Sequence, residues 1–191
     1  MKNFNGKISD PLDALNSEQQ GTFKDGSGIV ILQPGDLLFR FCSHIGAKYS
    51  DCWTDKETIK VIFQRYIERM EQFPSKNKNA VIKSQVHDVL AIAKIWSKLE
   101  YLLVVEIKKD LIAYRGNIRE QSFFQSIDQS SPLRQIKVLG VGGWQYVIPR
   151  IKNYSRANDT GSIHQYMVDA EMKKFTESSW YKRIVLAGNV I

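Results

Sequence analysis

The chain has 191 residues, the length of one domain of about 100–200 residues. With 43% hydrophobic and 25% charged residues, its composition excludes a disordered or membrane-embedded chain, and no apolar run approaches the ~18 residues that cross a bilayer. The formal charge of +7 comes from 27 Lys and Arg against 20 Asp and Glu, spread along the chain without a dense basic block. Such a surplus suits a phosphate-bearing ligand, a nucleic acid or an acidic protein as partner, and equally a solvated surface.

Residues 1–28 are rich in Gly, Ser, Asp and Gln and read as a loose arm, with residues 29–191 as one domain. Met1 to Asp13 lack the apolar core of a signal peptide. The expectation is a chain that does not engage the membrane. It is either delivered into a target cell by a secretion machine or as the tip of a larger protein, or it is cytoplasmic. Cys42 and Cys52 have no C-x-x-C spacing and no histidine pattern, so two reduced thiols are expected and no metal site.

In chain order, Ile29–Leu32 predicts a strand closed by the Pro34-Gly35 turn. Leu37–Cys42 is a second apolar strand interrupted by Arg40. A buried guanidinium needs a partner, so Arg40 either faces solvent or meets an anion in a cleft. Thr54 and Glu57 have capping-box spacing ahead of a helix whose apolar face runs from Ile59 through Ile62, Phe63, Tyr66, Ile67 and Met70 to Phe73. A polar loop leads to a second helix over 79–99 marked by Ile82, Val86, Val89, Leu90, Ala93, Trp96 and Leu99, with His87 at its surface.

Strands then dominate. Tyr101–Ile107 is β-branched, Leu111–Tyr114 is a short strand before an Arg115-Gly116 turn, and Ile136–Leu139 leads into Gly140-Val-Gly-Gly143. Trp144–Ile148 forms the next strand, stopped by Pro149. A helix marked by Ile163, Tyr166, Met167 and Ala170 and a terminal strand at Ile184–Ala187 complete an α+β pattern.

Three segments carry chemistry suited to a dinucleotide with a cationic ring. Arg40 offers a forked contact to a diphosphate. Tyr49 to Thr54 places aromatic and hydroxyl groups at a helix start, where backbone amides favour anions, and Trp53 offers a flat π face. Gly142 and Gly143 allow close backbone approach to a ligand ahead of Gln145. His44 is near Arg40 in sequence, but no spacing assigns it a role.

The strings Tyr101-Leu-Leu-Val-Val-Glu-Ile-Lys-Lys-Asp-Leu-Ile-Ala-Tyr-Arg-Gly-Asn-Ile118 and Gly-Val-Gly-Gly-Trp-Gln-Tyr-Val-Ile-Pro149 resemble the second half of bacterial ADP-ribosyltransferase-like toxins. The likeness is greatest to the NAD+ glycohydrolase family typified by the tuberculosis necrotizing toxin. Leu38-Phe39-Arg40-Phe41 resembles that family's arginine strand, and Ser50 to Thr54 its aromatic and hydroxyl segment. The resemblance covers roughly Gly35–Thr54 and Tyr101–Pro149, and the helical segment between them exceeds what such compact domains hold.

It implies split, twisted sheets with a two-helix segment inserted, NAD+ as substrate, Arg40 on the phosphates, and Gln145 where other transferases carry a catalytic glutamate. Ser50, Trp53, Thr54 and Gly143 are the further cofactor-binding residues it suggests. An immunity protein is an expected partner. Gln145 has no titratable proton, so it can orient water or a ribose hydroxyl but cannot act as a base. Hydrolysis of the nicotinamide–ribose bond is therefore expected first. Transfer of ADP-ribose to a protein or nucleic acid is the alternative, and a non-catalytic basic nucleic-acid-binding domain a third.

Overall fold

Two strands carry apolar side chains at nearly every position, and the fold uses both faces of each. β2 (Leu37–Cys42) and β4 (Tyr101–Ile107) pair antiparallel, with β9 (Met167–Lys174) on the far edge of β4. A second antiparallel sheet has the order β1–β5–β8–β3: β1 (Gly28–Leu32), β5 (Leu111–Asn117), β8 (Trp144–Val147) and β3 (Cys52–Trp53). A two-stranded ribbon pairs β6 (Gln121–Gln125) with β7 (Arg134–Val138). The computed structural model describes residues 28–47, 52–94, 96–125, 134–148 and 166–183. Most of the arm at 1–28, Ser50 and the terminal strand expected at 184–187 lie outside them.

Strand alternation sorts β2 and β4 into two cores. Phe39, Phe41, Leu102 and Val104 pack under two helices, α1 (Lys56–Gln72) and α2 (Lys78–Val89). Leu38, Leu103, Val105 and Ile107 turn the other way, onto Leu32, Leu111, Ala113 and Trp53 of the four-stranded sheet. The order of layers is helix pair, three-stranded sheet, four-stranded sheet. Burial on both sides is why β4 reads as a continuous apolar run rather than an alternating one. The α+β expectation holds in this mixed arrangement of antiparallel sheets and few helices.

The helices bury most of the faces that periodicity marks, but Phe73 and Trp96, which the same spacing includes, are exposed, lying at or beyond the helix ends. Ile59, Ile62, Phe63 and Tyr66 of α1 meet Val81, Ile82, Val86 and Val89 of α2 in one core. α1 starts one residue later than the Thr54 box requires. Both backbone groups of Thr54 are engaged by Phe39, so Asp55 becomes the cap and accepts from Thr58 N at 2.8 Å.

Three further expectations are corrected. α2 ends at Val89 rather than near Leu99, because Ala91 takes φ 49°, outside helical geometry. The segment marked by Tyr166, Met167 and Ala170 is not helical: Met167–Lys174 is β9, its pairing with β4 outweighing a helical spacing of apolar residues. β5 runs on to Asn117 instead of turning at Arg115-Gly116, because β8 supplies partners as far as Asn117↔Trp144.

His87 is also corrected, from the surface to the interior, where it is 7% exposed. Its Nδ1–H donates to the Ile92 carbonyl at 2.7 Å, closing the turn after α2. Burial holds its pKa below the ordinary value, and nearby Lys94 and Lys83 add to this against the Ile92 carbonyl and Asp88. A depressed native pKa means that the unfolded chain binds the proton more readily. Stability is then complete above about pH 6.5 and declines as pH falls through the lower native pKa. Thermal melts from pH 7.5 to 5 should show that loss in the wild type and a flatter profile in His87→Asn. Identical profiles would remove His87 from the acid response.

Candidate functional site

The three segments marked by the sequence meet at β3. Thr54 N and O bond Phe39 O and N of β2 at 2.9 and 2.8 Å. On the other side, Cys52 and Trp53 pair with Val147 and Tyr146 of β8. This short strand therefore ties the two sheets together. Two hydroxyls complete the joint. Thr54 Oγ1 donates to the Trp144 carbonyl at 2.8 Å, and Thr58 Oγ1 accepts from Trp144 N at 2.9 Å. Thr54 thus serves β8 and not a ligand directly.

Gly143 has a similar structural duty. A Cβ there would lie 2.5 Å from the Val89 carbonyl oxygen and 3.2 Å from Ile118 Cδ1, so the chain must be bare where it passes the end of α2. Gly142, at φ +75°, makes the turn that precedes it.

Beside the joint, charged and aromatic groups gather on the inner face of the four-stranded sheet. The Arg115 guanidinium lies 3.8 Å from the centre of the Trp144 ring and 5.6 Å from that of Tyr146. Its Nη2 is 3.8 Å from Asp55 Oδ2, and the Tyr146 hydroxyl donates to the same oxygen at 3.0 Å. Burial, then the Asp55 charge and hydrogen bond, push the Tyr146 pKa up to about 12, so the phenol stays a neutral donor. Arg115 and Asp55 oppose each other in charge at the N-terminus of α1, whose backbone dipole favours the carboxylate.

Arg40 lies on the facing sheet. It shares its side of β2 with Leu38, the side turned toward the four-stranded sheet, and Nη1 donates to the Cys52 carbonyl at 2.7 Å. Arg40 lies two residues beyond Leu38, and Arg115 two beyond Ala113, so both cations follow the apolar inter-sheet residues along their strands.

Gln145 is placed differently. Strand alternation turns it away from Trp144 and Tyr146, to the outer face shared with Val147, Cys52 and Tyr114, where its register partner is Gly116. Arg40, Trp53 and Gln145 therefore do not line one cleft as the sequence suggested. Trp53 presents no open ring, being 2% exposed within the inter-sheet core. Ser50 lies outside the described residues, and His44 is exposed.

Burial raises the pKa of the Cys42 thiol, with Arg40 opposing that shift. Among the described residues, no three His, Cys, Asp or Glu side chains are grouped to hold a metal, and no helix is long and apolar enough to cross a membrane.

Asp55, Thr58, Arg115 and Tyr146 gather here, though the sequence reading gave none of them a role in a site. A signal for Arg115 was present: Leu111, Ala113, Arg115 and Asn117 follow one period of two, which an Arg-Gly turn obscured.

No protein-family model matches the chain, and no curated protein matches it. Among solved structures it is similar to Rhs1-CT, in a complex with its cognate immunity protein RhsI1, at a TM-score of 0.44 and 14% identity over 80% of this chain and 83% of that one. It is also similar to Tne2, in a complex with Tni2, at a TM-score of 0.36 and 12% identity over 66% and 84%. Likeness at this level does not define a family.

The joint makes a direct prediction. Thr58→Val keeps the shape of a fully buried side chain but leaves Trp144 N without its acceptor. Chemical denaturation should show a loss of about 1–3 kcal/mol, the usual cost of stranding a buried donor. No loss would mean that Trp144 is held by the ladder alone.

Proposed function

We propose that this chain is an NAD+-consuming enzyme that cleaves the nicotinamide–ribose bond, acting as a toxin or effector inside a target cell. The observation that carries the reading is the meeting at β3 of the three segments that resemble the NAD+ glycohydrolase toxins. Segments up to about a hundred residues apart in sequence share one hydrogen-bonded joint. An immunity protein is the partner that the same resemblance suggests.

In this reading Arg40 binds the diphosphate, where its fork can hold two oxygens. The C1′–N bond breaks with its electron pair leaving on nicotinamide. Nicotinamide departs neutral and needs no general acid. Water then adds to C1′ and releases its proton to solvent, giving ADP-ribose. The protein's share is to orient the dinucleotide and to support positive charge on the ribose. On the inner face the group suited to that support is the Asp55 carboxylate, 15% exposed and already aimed by the α1 cap and Tyr146. Gln145 acts in this scheme only if the ribose reaches the outer face of β8.

One feature favours transfer to an acceptor. The outer groove between α1 and α2, about 280 Å³, is lined by Arg69, Lys76, Asn77 and Ser84, and offers positive charge to an acidic surface. It lies toward the other end of α1 from Asp55.

Purified protein incubated with NAD+, with and without cell lysate, should release nicotinamide and ADP-ribose in equal amounts. Label fixed to macromolecules would turn the reading to transfer, and no nicotinamide release would sink it. Arg40→Ala should weaken NAD+ binding by about 10- to 150-fold, the worth of a charged hydrogen bond. Asp55→Asn keeps a capping side chain and removes the charge, so turnover should fall while folding persists. A Gln145→Ala enzyme that is dead beside an active Asp55→Asn would move the chemistry to the outer face.

A further inference from the structure

Among the described residues, two buried polar atoms on β5 have no hydrogen-bond partner: Arg115 Nε and Asn117 Oδ1. They stand two residues apart on one strand, so they share the inner face, and their register partners are Tyr146 and Trp144. One is a donor and the other an acceptor. A third such atom, Trp53 Nε1, is on the same face across Tyr146, but its side chain is enclosed in the inter-sheet core. Native proteins seldom leave buried polar atoms unpaired, and an adjacent donor and acceptor define the chemistry that would satisfy them.

The surroundings decide among ligand groups. A phosphate would gain from Arg115 but be repelled by Asp55, whose Oδ2 lies 3.8 Å from Nη2. A planar pyridinium carboxamide would need a free aromatic face, yet the Arg115 guanidinium already covers one face of Trp144 at 3.8 Å, and a cationic ring beside it is repelled. A neutral group with two adjacent hydroxyls needs neither a flat face nor a net charge. One oxygen accepts from Arg115 Nε–H while its neighbour donates to Asn117 Oδ1.

We propose that Arg115 and Asn117 form a subsite for the cis-diol of a ribose. This rests on the reading of the chain as an enzyme that binds NAD+, and it assigns two substrate-positioning residues that the sequence motif does not contain. The subsite selects for hydroxyls. Discrimination against a deoxyribose, rather than overall affinity, is its signature.

The test is calorimetric binding by the full chain of ADP-ribose and of two probes, one lacking the 2′-hydroxyl on the adenosine ribose and one on the terminal ribose. Wild-type protein should bind one of the deoxy probes about tenfold more weakly, near the upper worth of a neutral hydrogen bond. Asn117→Ala and Arg115→Lys should shrink that preference to about twofold or less, while Asn117→Asp, which keeps an acceptor oxygen, should retain it. Thermal melts confirm that each variant is folded, and loss of folding in Asn117→Ala leaves Arg115→Lys and Asn117→Asp to decide. A preference unchanged by Arg115→Lys and Asn117→Ala would overturn the subsite. So would a dependence on Asn117 seen only when the 3-acetylpyridine analogue of NAD+ is compared with NAD+, since that identifies a carboxamide. If the wild type binds ADP-ribose and releases nicotinamide, either result leaves the NAD+ reading standing. A wild type that does neither overturns that reading as well.

Discussion

β3 is only two residues long, yet both sheets depend on it. Cys52 and Trp53 pair with β8, and Thr54 exchanges two backbone hydrogen bonds with Phe39 of β2. The hydroxyls of Thr54 and Thr58 then hold the backbone of Trp144 from two positions four residues apart, at the start of α1. A buried backbone group must find a partner, and here the partners come from a different sheet and from a helix. That requirement ties the start of α1 to the joint. It also fixes the placement of Asp55, which caps the helix and faces Arg115 and Tyr146 in the same step.

The charged cluster gains its character from this placement. Asp55 is held by the Thr58 amide through Oδ1 and by the Tyr146 phenol through Oδ2, so its carboxylate is oriented from two sides. The Arg115 guanidinium sits over the Trp144 ring, an arrangement worth roughly 0.5–2 kcal/mol according to how far water is excluded. Opposite charges without a saturating hydrogen bond between them make a polar surface that is nearly neutral overall. Arg40, on the facing sheet and anchored to the Cys52 carbonyl, supplies positive charge at a separate place.

Much of the architecture was legible because it rests on local periodicity. The faces of α1 and α2 followed from apolar spacing, and β2 and β4 from their apolar runs, while the burial of both faces of those strands appeared only with the second sheet. Where local pattern misled, a longer-range bond had won. Thr54 lost its capping role to a bridge with Phe39, residues 167–174 were drawn into a sheet by β4, and Arg115 stayed in a strand because β8 lay beside it. His87 looked like a surface residue because its neighbours on α2 are polar, but its ring closes the turn to Ile92 inside the core.

The sequence by itself marked the segments that meet at β3: the arginine strand, the aromatic and hydroxyl segment before α1, and the glycine pair before Trp144. Each is defined by residue types and short spacings, which survive without knowledge of what lies opposite. Which side chains of those segments face one another was decided by the tertiary structure alone. In a strand a step of one residue reverses the face, so the register of β8 against β5 and β3 turned Tyr146 toward Asp55 and Arg115 and turned Gln145 away. No local signal encodes that register. It is set by Gly143 passing bare against Val89, by the two threonine hydroxyls on Trp144, and by a core that admits Trp53 only with its ring inside.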